Sequence, residues 1–213
     1  TLVFTADEYA EGADEVLETL DKHNIKAAFF LTGNFYRDAK NRKFIEKALK
    51  QGHYLGAHSD KHLLYNDWSK DKKLLVSREQ FKSDLAANYS EMEKYGIQKK
   101  EAPFFLPSYE WGDDIIAQWT DQMELTLINY TPGTSSNADY TTPNMENYKS
   151  SAEIFKSILT YEEKEGMNGF LLLTHFGTHP DRTDKFYKQL DSLITTLEKK
   201  GYTFDSLPDL LKK

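Results

Sequence analysis

Ile25-Lys-Ala-Ala-Phe-Phe-Leu31 is the stretch that decides how this chain folds. Its apolar residues run together instead of alternating with polar ones, as expected of a strand covered on both faces within a parallel sheet. The flanks agree. Thr1-Leu-Val-Phe-Thr5 reads as a preceding strand, followed by an acidic loop at 7–12 and a helix at 13–23 with Val16, Leu17 and Leu20 at helical spacing. Downstream, residues 35–51 put Phe44, Ile45, Ala48 and Leu49 on one side of a helix that ends at Gly52. A third strand is expected at 53–57 and a polar, aromatic-containing loop at 61–73. Ser77 then opens a helix reaching Tyr95, with Gln80 completing a capping box.

The same rhythm continues to the end. Strands are expected at 103–106, 125–129, 169–174 and 202–204, and helices at 111–122, 150–165, 183–200 and 206–211, with a long loop at 130–148. Seven strands alternating with seven helices imply a parallel sheet with right-handed crossovers. The expected architecture is an α/β fold, a distorted (β/α)7 barrel occupying residues 1–213 as one domain; a doubly wound open sheet is the alternative.

Composition narrows the function. A net charge of −7 argues against a nucleic-acid surface, which needs clustered Lys and Arg. The absence of cysteine excludes disulfides, thiolate metal sites and a cysteine nucleophile. No apolar run is long enough to span a membrane. The chain starts inside a strand without Met and looks trimmed, so an export signal would lie outside it. Exposed aromatic rings suit stacking on sugars, with core burial the ordinary alternative; Tyr36, Trp68, Tyr109 and Trp111 are the candidates.

In such folds the active site lies where strands end and the next loops begin. That rule gathers Asp7 and Glu8, His58 and His62, residues 106–111, residues 129–140, and His175 on one rim. His58 and His62 can aim both imidazoles at one divalent ion, with a carboxylate as third ligand, or be two ordinary polar loop residues. His23 and His53 fall on the opposite face and read as structural.

The sequence resembles the polysaccharide deacetylases that share the NodB homology domain, carbohydrate esterase family 4. Three stretches carry the resemblance: KHNIKAAFFLTG at 22–33, the H-[ST]-x-x-H pattern His58-Ser-Asp-Lys-His62, and the L-x-H pattern in Leu171-Leu-Leu-Thr-His175. It implies a divalent metal, most often zinc, held by Asp7, His58 and His62. It also implies hydrolysis of an N- or O-acetyl group on an oligo- or polysaccharide and an exported location. The chain departs from the family pattern in several places. Aligning Phe4-Thr-Ala-Asp7 with T-F-D-D puts Ala6 at the general base, and Leu106 replaces the Arg that orients it. The D-x-x-D-W motif is echoed only by 136–140, which contains Asp139, and Phe176 follows His175 where the family has Asp. On this reading His175 is the general acid, Asp139 orients it, and Glu8 or Glu110 is a substitute base, or metal-activated water acts without a dedicated one. Tyr109 and Trp111 would contact the sugar. Three functions follow: an active deacetylase with an altered base, a carbohydrate-binding relative that keeps the metal site, or a metal-free scaffold.

Overall fold

β1 (Leu2–Ala6), β2 (Ala28–Leu31) and β3 (Tyr54–Ala57) are buried throughout and form the centre of a parallel sheet. The structure is a computed structural model that describes residues 1–212. β4 (Phe104–Phe105), β5 (Thr126–Leu127) and β6 (Leu172–His175) complete a sheet ordered β5-β4-β3-β2-β1-β6. Its edges approach one another beyond β5, where the Thr131 amide donates to the Leu171 carbonyl at 3.0 Å. The Leu171 amide returns a bond to the Thr131 hydroxyl at 3.1 Å. The sheet is thereby curled into the expected distorted (β/α) barrel.

The helices are α1 (Ala13–Lys22), α2 (Gly33–Arg37), α3 (Arg42–Lys50), α4 (Arg78–Glu93), α5 (Asp114–Asp121), α6 (Ser151–Glu165), α7 (Leu190–Lys199) and α8 (Leu207–Leu211). Two differences from the sequence reading have local causes. The helix expected at 35–51 is broken, because Asp38 turns extended and its carboxylate accepts the Lys40 amide, restarting the chain as a 3-10 turn before α3. The strand expected at 202–204 joins no ladder; that segment lies beside the N-terminus, where the Thr1 hydroxyl donates to the Asp205 carbonyl at 2.8 Å.

On the helix side of the sheet, Phe4 stacks on Phe29 at 5.0 Å between centroids, and Phe44 of α3 stacks on Phe176 at 4.8 Å. Phe176, the departure after His175, is therefore a fully buried core residue, a burial that contributes about 1.5–3 kcal/mol. Strand alternation carries a consequence for the site. Phe4 faces the helices, so Ala6 shares that face, while Thr5 points to the barrel interior. The Ala6 side chain packs in the core cluster; Asp7 is the first carboxylate past β1.

Candidate active site

The histidine loop is built by its neighbours. On α4, Asn88 accepts the His58 amide at 2.9 Å, and Asp84 accepts the Asp60 and Lys61 amides at 3.1 and 3.2 Å and the Tyr65 hydroxyl at 2.7 Å. The start of α2 holds the other side, with the Gly33 and Asn34 amides donating to the Ser59 and Asp60 carbonyls. These bonds fix a loop in which Ser59 and His62 are left-handed, at φ 75° and 54°, conformations costing about 1–3 kcal/mol each. Asp84 and Asn88 were not singled out from sequence. The available signal was their i, i+4 spacing among the apolar residues of α4.

His58 Nδ1 lies 2.8 Å from the Leu106 carbonyl. A carbonyl only accepts, so Nδ1 carries the proton and Nε2 presents a lone pair. Burial, with His62 nearby, pushes the His58 pKa well below the usual value and keeps the ring neutral. Leu106 thus contributes its backbone, while its side chain is fully buried. Asp7 Oδ1 accepts the Thr32 hydroxyl at 2.7 Å and the Asn34 amide nitrogen at 3.2 Å, leaving Oδ2 4.0 Å from His62 Nδ1. The His58 and His62 rings are 5.3 Å apart. These approaches are pairwise: among the described residues no three His, Asp or Glu side chains form a ready-made ion cage.

Glu110 enters the same space from the loop after β4. Tyr109 and Glu110 are consecutive left-handed residues, at φ 61° and 53°, and this local strain turns the Glu110 carboxylate inward. Its side chain is 12% exposed, and Oε1 lies 3.8 Å from His58 Nε2. The Thr5 hydroxyl stands near it and favours its charged form. Burial raises its pKa above the usual glutamate range, with His175 and Thr5 opposing. Across the site, Asp139 Oδ1 accepts the His175 Nδ1 proton at 2.6 Å and Oδ2 accepts the His175 amide at 2.8 Å. Burial alone would lower the His175 pKa, but the Asp139 charge and hydrogen bond outweigh it and the net shift is upward.

The remaining sequence candidates separate. Glu8 is exposed and lies beside the Tyr9 phenol, with no hydrogen bond or ion pair to the three histidines among the described residues. Tyr109 is 42% exposed and lies 4.3 Å from the His62 ring. Trp111 is half-buried; its indole N–H donates to the Asp67 carbonyl and Lys72 sits 3.9 Å over one face. Tyr36 is buried in the core and offers no surface. His23 is held by Asp191 and Glu198, and His53 accepts the Ala27 amide, both away from the site.

Comparison with known proteins adds four findings. Residues 1–138 match the family model described as polysaccharide deacetylase. A peptidoglycan-N-acetylglucosamine deacetylase of Bacillus cereus is 25% identical over 198 residues, covering 93% of this chain and 81% of that protein. Among solved structures, a family 4 acetyl xylan esterase from Clostridium thermocellum in complex with a cobalt ion superposes with a TM-score of 0.71, at 23% identity, covering 99% of this chain and 90% of that one. A mutant of a pseudoenzyme of the same esterase family from Bacillus anthracis, with restored enzymatic activity, gives a TM-score of 0.72 at 20% identity; this chain, 99% covered, spans 66% of its length.

Proposed function

We propose that this chain, which belongs to the polysaccharide deacetylase family, removes acetyl groups from an acetylated oligo- or polysaccharide with Glu110 as general base and His175 as general acid. The observation that carries the reading is the inward Glu110 carboxylate, 3.8 Å from His58 Nε2 and electrostatically coupled to the His175–Asp139 pair.

The donor set fits a divalent cation such as zinc: His58 offers a free Nε2, His62 a second imidazole and Asp7 a carboxylate oxygen beside it. A cation there would polarise the acetyl carbonyl and acidify water. The chain's own residues do the rest. Thr32 and Asn34 orient Asp7, and Leu106 fixes the His58 tautomer. Glu110, its pKa raised by burial, is a stronger base than an exposed carboxylate and takes a proton from water. His175, whose protonated form Asp139 favours, delivers a proton to the departing amine or alkoxide. The curated relative's name points to an amino-sugar polymer of the bacterial wall and hence to an exported enzyme.

A second reading, a carbohydrate-binding relative without turnover, is favoured by the pseudoenzyme's likeness and by the buried Leu106 in place of Arg. Acetate release from a panel of acetylated oligosaccharides, with and without added zinc, decides. Zinc-stimulated release supports the enzyme; binding without release supports the alternative.

A further inference from the structure

We infer that Trp68 is the platform of a second sugar subsite, one that stacks on a pyranose ring beside the acetylated residue. The inference rests on the carbohydrate reading above and makes the ligand a chain of sugars, not a single one.

Three observations lead there. Trp68 is 62% exposed, the most exposed large hydrophobic residue described, although burying so large an apolar side chain is favourable. Its exposure is built, because the loop tip beneath it is tightly bonded. Asp67 Oδ1 accepts the Ser69 amide, the Ser69 hydroxyl and the Lys73 amide at 3.1, 2.6 and 3.0 Å. The Asn66 side chain donates to the Lys72 carbonyl at 2.7 Å, and Lys72 is itself left-handed at φ 47°. Behind Trp68, Trp111 is fixed by its bond to Asp67 and by the Lys72 ammonium, and the two indoles lie 5.5 Å apart. Finally, the platform is continuous with the site. Tyr109 lies 4.3 Å from the His62 ring, and Trp68 meets Tyr109 at 5.8 Å in an edge-on arrangement. A rigid, open indole face beside polar Lys and Asp groups suits the apolar face of a pyranose with hydroxyls around it. Immobilising the ring in advance also removes an ordering cost from binding.

The test is binding of an N-acetylglucosamine monomer and pentamer, and of acetylated xylose and xylopentaose, by calorimetry and tryptophan fluorescence. For at least one of the two backbones the pentamer should bind at least tenfold tighter than its monomer. Trp68→Ala should cut that ratio about 3- to 10-fold, the range expected for one aromatic stacking contact, and Trp68→Phe should restore part of it. Because the readout is binding, it is separate from turnover: pentamer binding through Trp68 without acetate release would uphold the subsite and remove the catalytic reading. An unchanged ratio in Trp68→Ala, or no length dependence for either sugar, overturns the subsite even if acetate is released.

Discussion

Replacing Asp139 by Asn tests how the general acid is held. The Asp139 side chain is 1% exposed and accepts two bonds from His175, at 2.6 Å from Nδ1 and 2.8 Å from the amide. Its charge and hydrogen bond are what lift the His175 pKa against burial. Asn keeps the shape but removes the charge, so burial prevails and the His175 titration moves down. A hydrogen bond to a charged partner is worth about 1.5–3 kcal/mol, which corresponds to a loss of about 10- to 100-fold in kcat/KM near neutral pH. The sign follows from the acid's role: activity needs the protonated ring, so the alkaline limb of the pH–rate profile should move to lower pH in Asp139→Asn. Histidine-selective NMR titration of His175 reads the same shift without turnover. A His175 titration that stays in place or rises in the variant would refute the reasoning.

Three further outcomes are expected. Ala6→Asp should not raise acetate release, because position 6 faces the helix layer; it should lower Tm, since an unpaired buried polar group costs about 1–3 kcal/mol and each kcal/mol is worth roughly 2–4 °C in a chain this size. A tenfold gain in activity would contradict that placement. Gly33→Ala puts a methyl 1.9 Å from Asp60 Oδ1, which disturbs the Asp60–Arg37 pair at 2.6 Å; calorimetry should show a destabilisation of about 1–3 kcal/mol, and kinetics a drop of up to about 100-fold if the histidine loop moves by 1 Å. His53, with its pKa lowered to about 4 chiefly by burial, is protonated more readily unfolded than folded. Stability should therefore fall as pH drops from about 6.5 to about 4, by up to about 3 kcal/mol at 1.36 kcal/mol per unit; urea unfolding of His53→Gln should lack this component, and an equal slope would exclude His53 as its source.

Much of this arrangement was legible in the chain itself. The apolar run at 25–31 and the helical spacing around it gave the parallel sheet, and Ser77 with Gln80 forms the capping box its spacing implies. The strand-end rule also found His58, His62 and His175 together. What was missed depends on contacts distant in sequence or on rare backbone states. Residues 202–204 have strand composition but no neighbour to pair with, and Asp38 interrupts a helix through its own side chain. The inward turn of Glu110 follows from two successive left-handed residues, Tyr109 and Glu110, that no periodicity announces. Position 6 is different. Period-2 alternation from Phe4 was present in the sequence and sets Ala6 on the core face, a constraint that motif alignment does not carry.

Glu110 as the base is tested by acetate release from Glu110→Gln measured alongside its zinc binding. A positioned base contributes about 10²–10⁴-fold, so kcat/KM should fall by at least about 100-fold while zinc affinity stays at the wild-type value, since Glu110 is not among the proposed ligands Asp7, His58 and His62. Asp7→Asn should weaken zinc binding, and Glu8→Gln, on an exposed residue turned toward Tyr9, should change the rate less than about twofold. A Glu110→Gln protein that releases acetate at the wild-type rate, or one that loses zinc while Asp7→Asn retains it, would contradict the account.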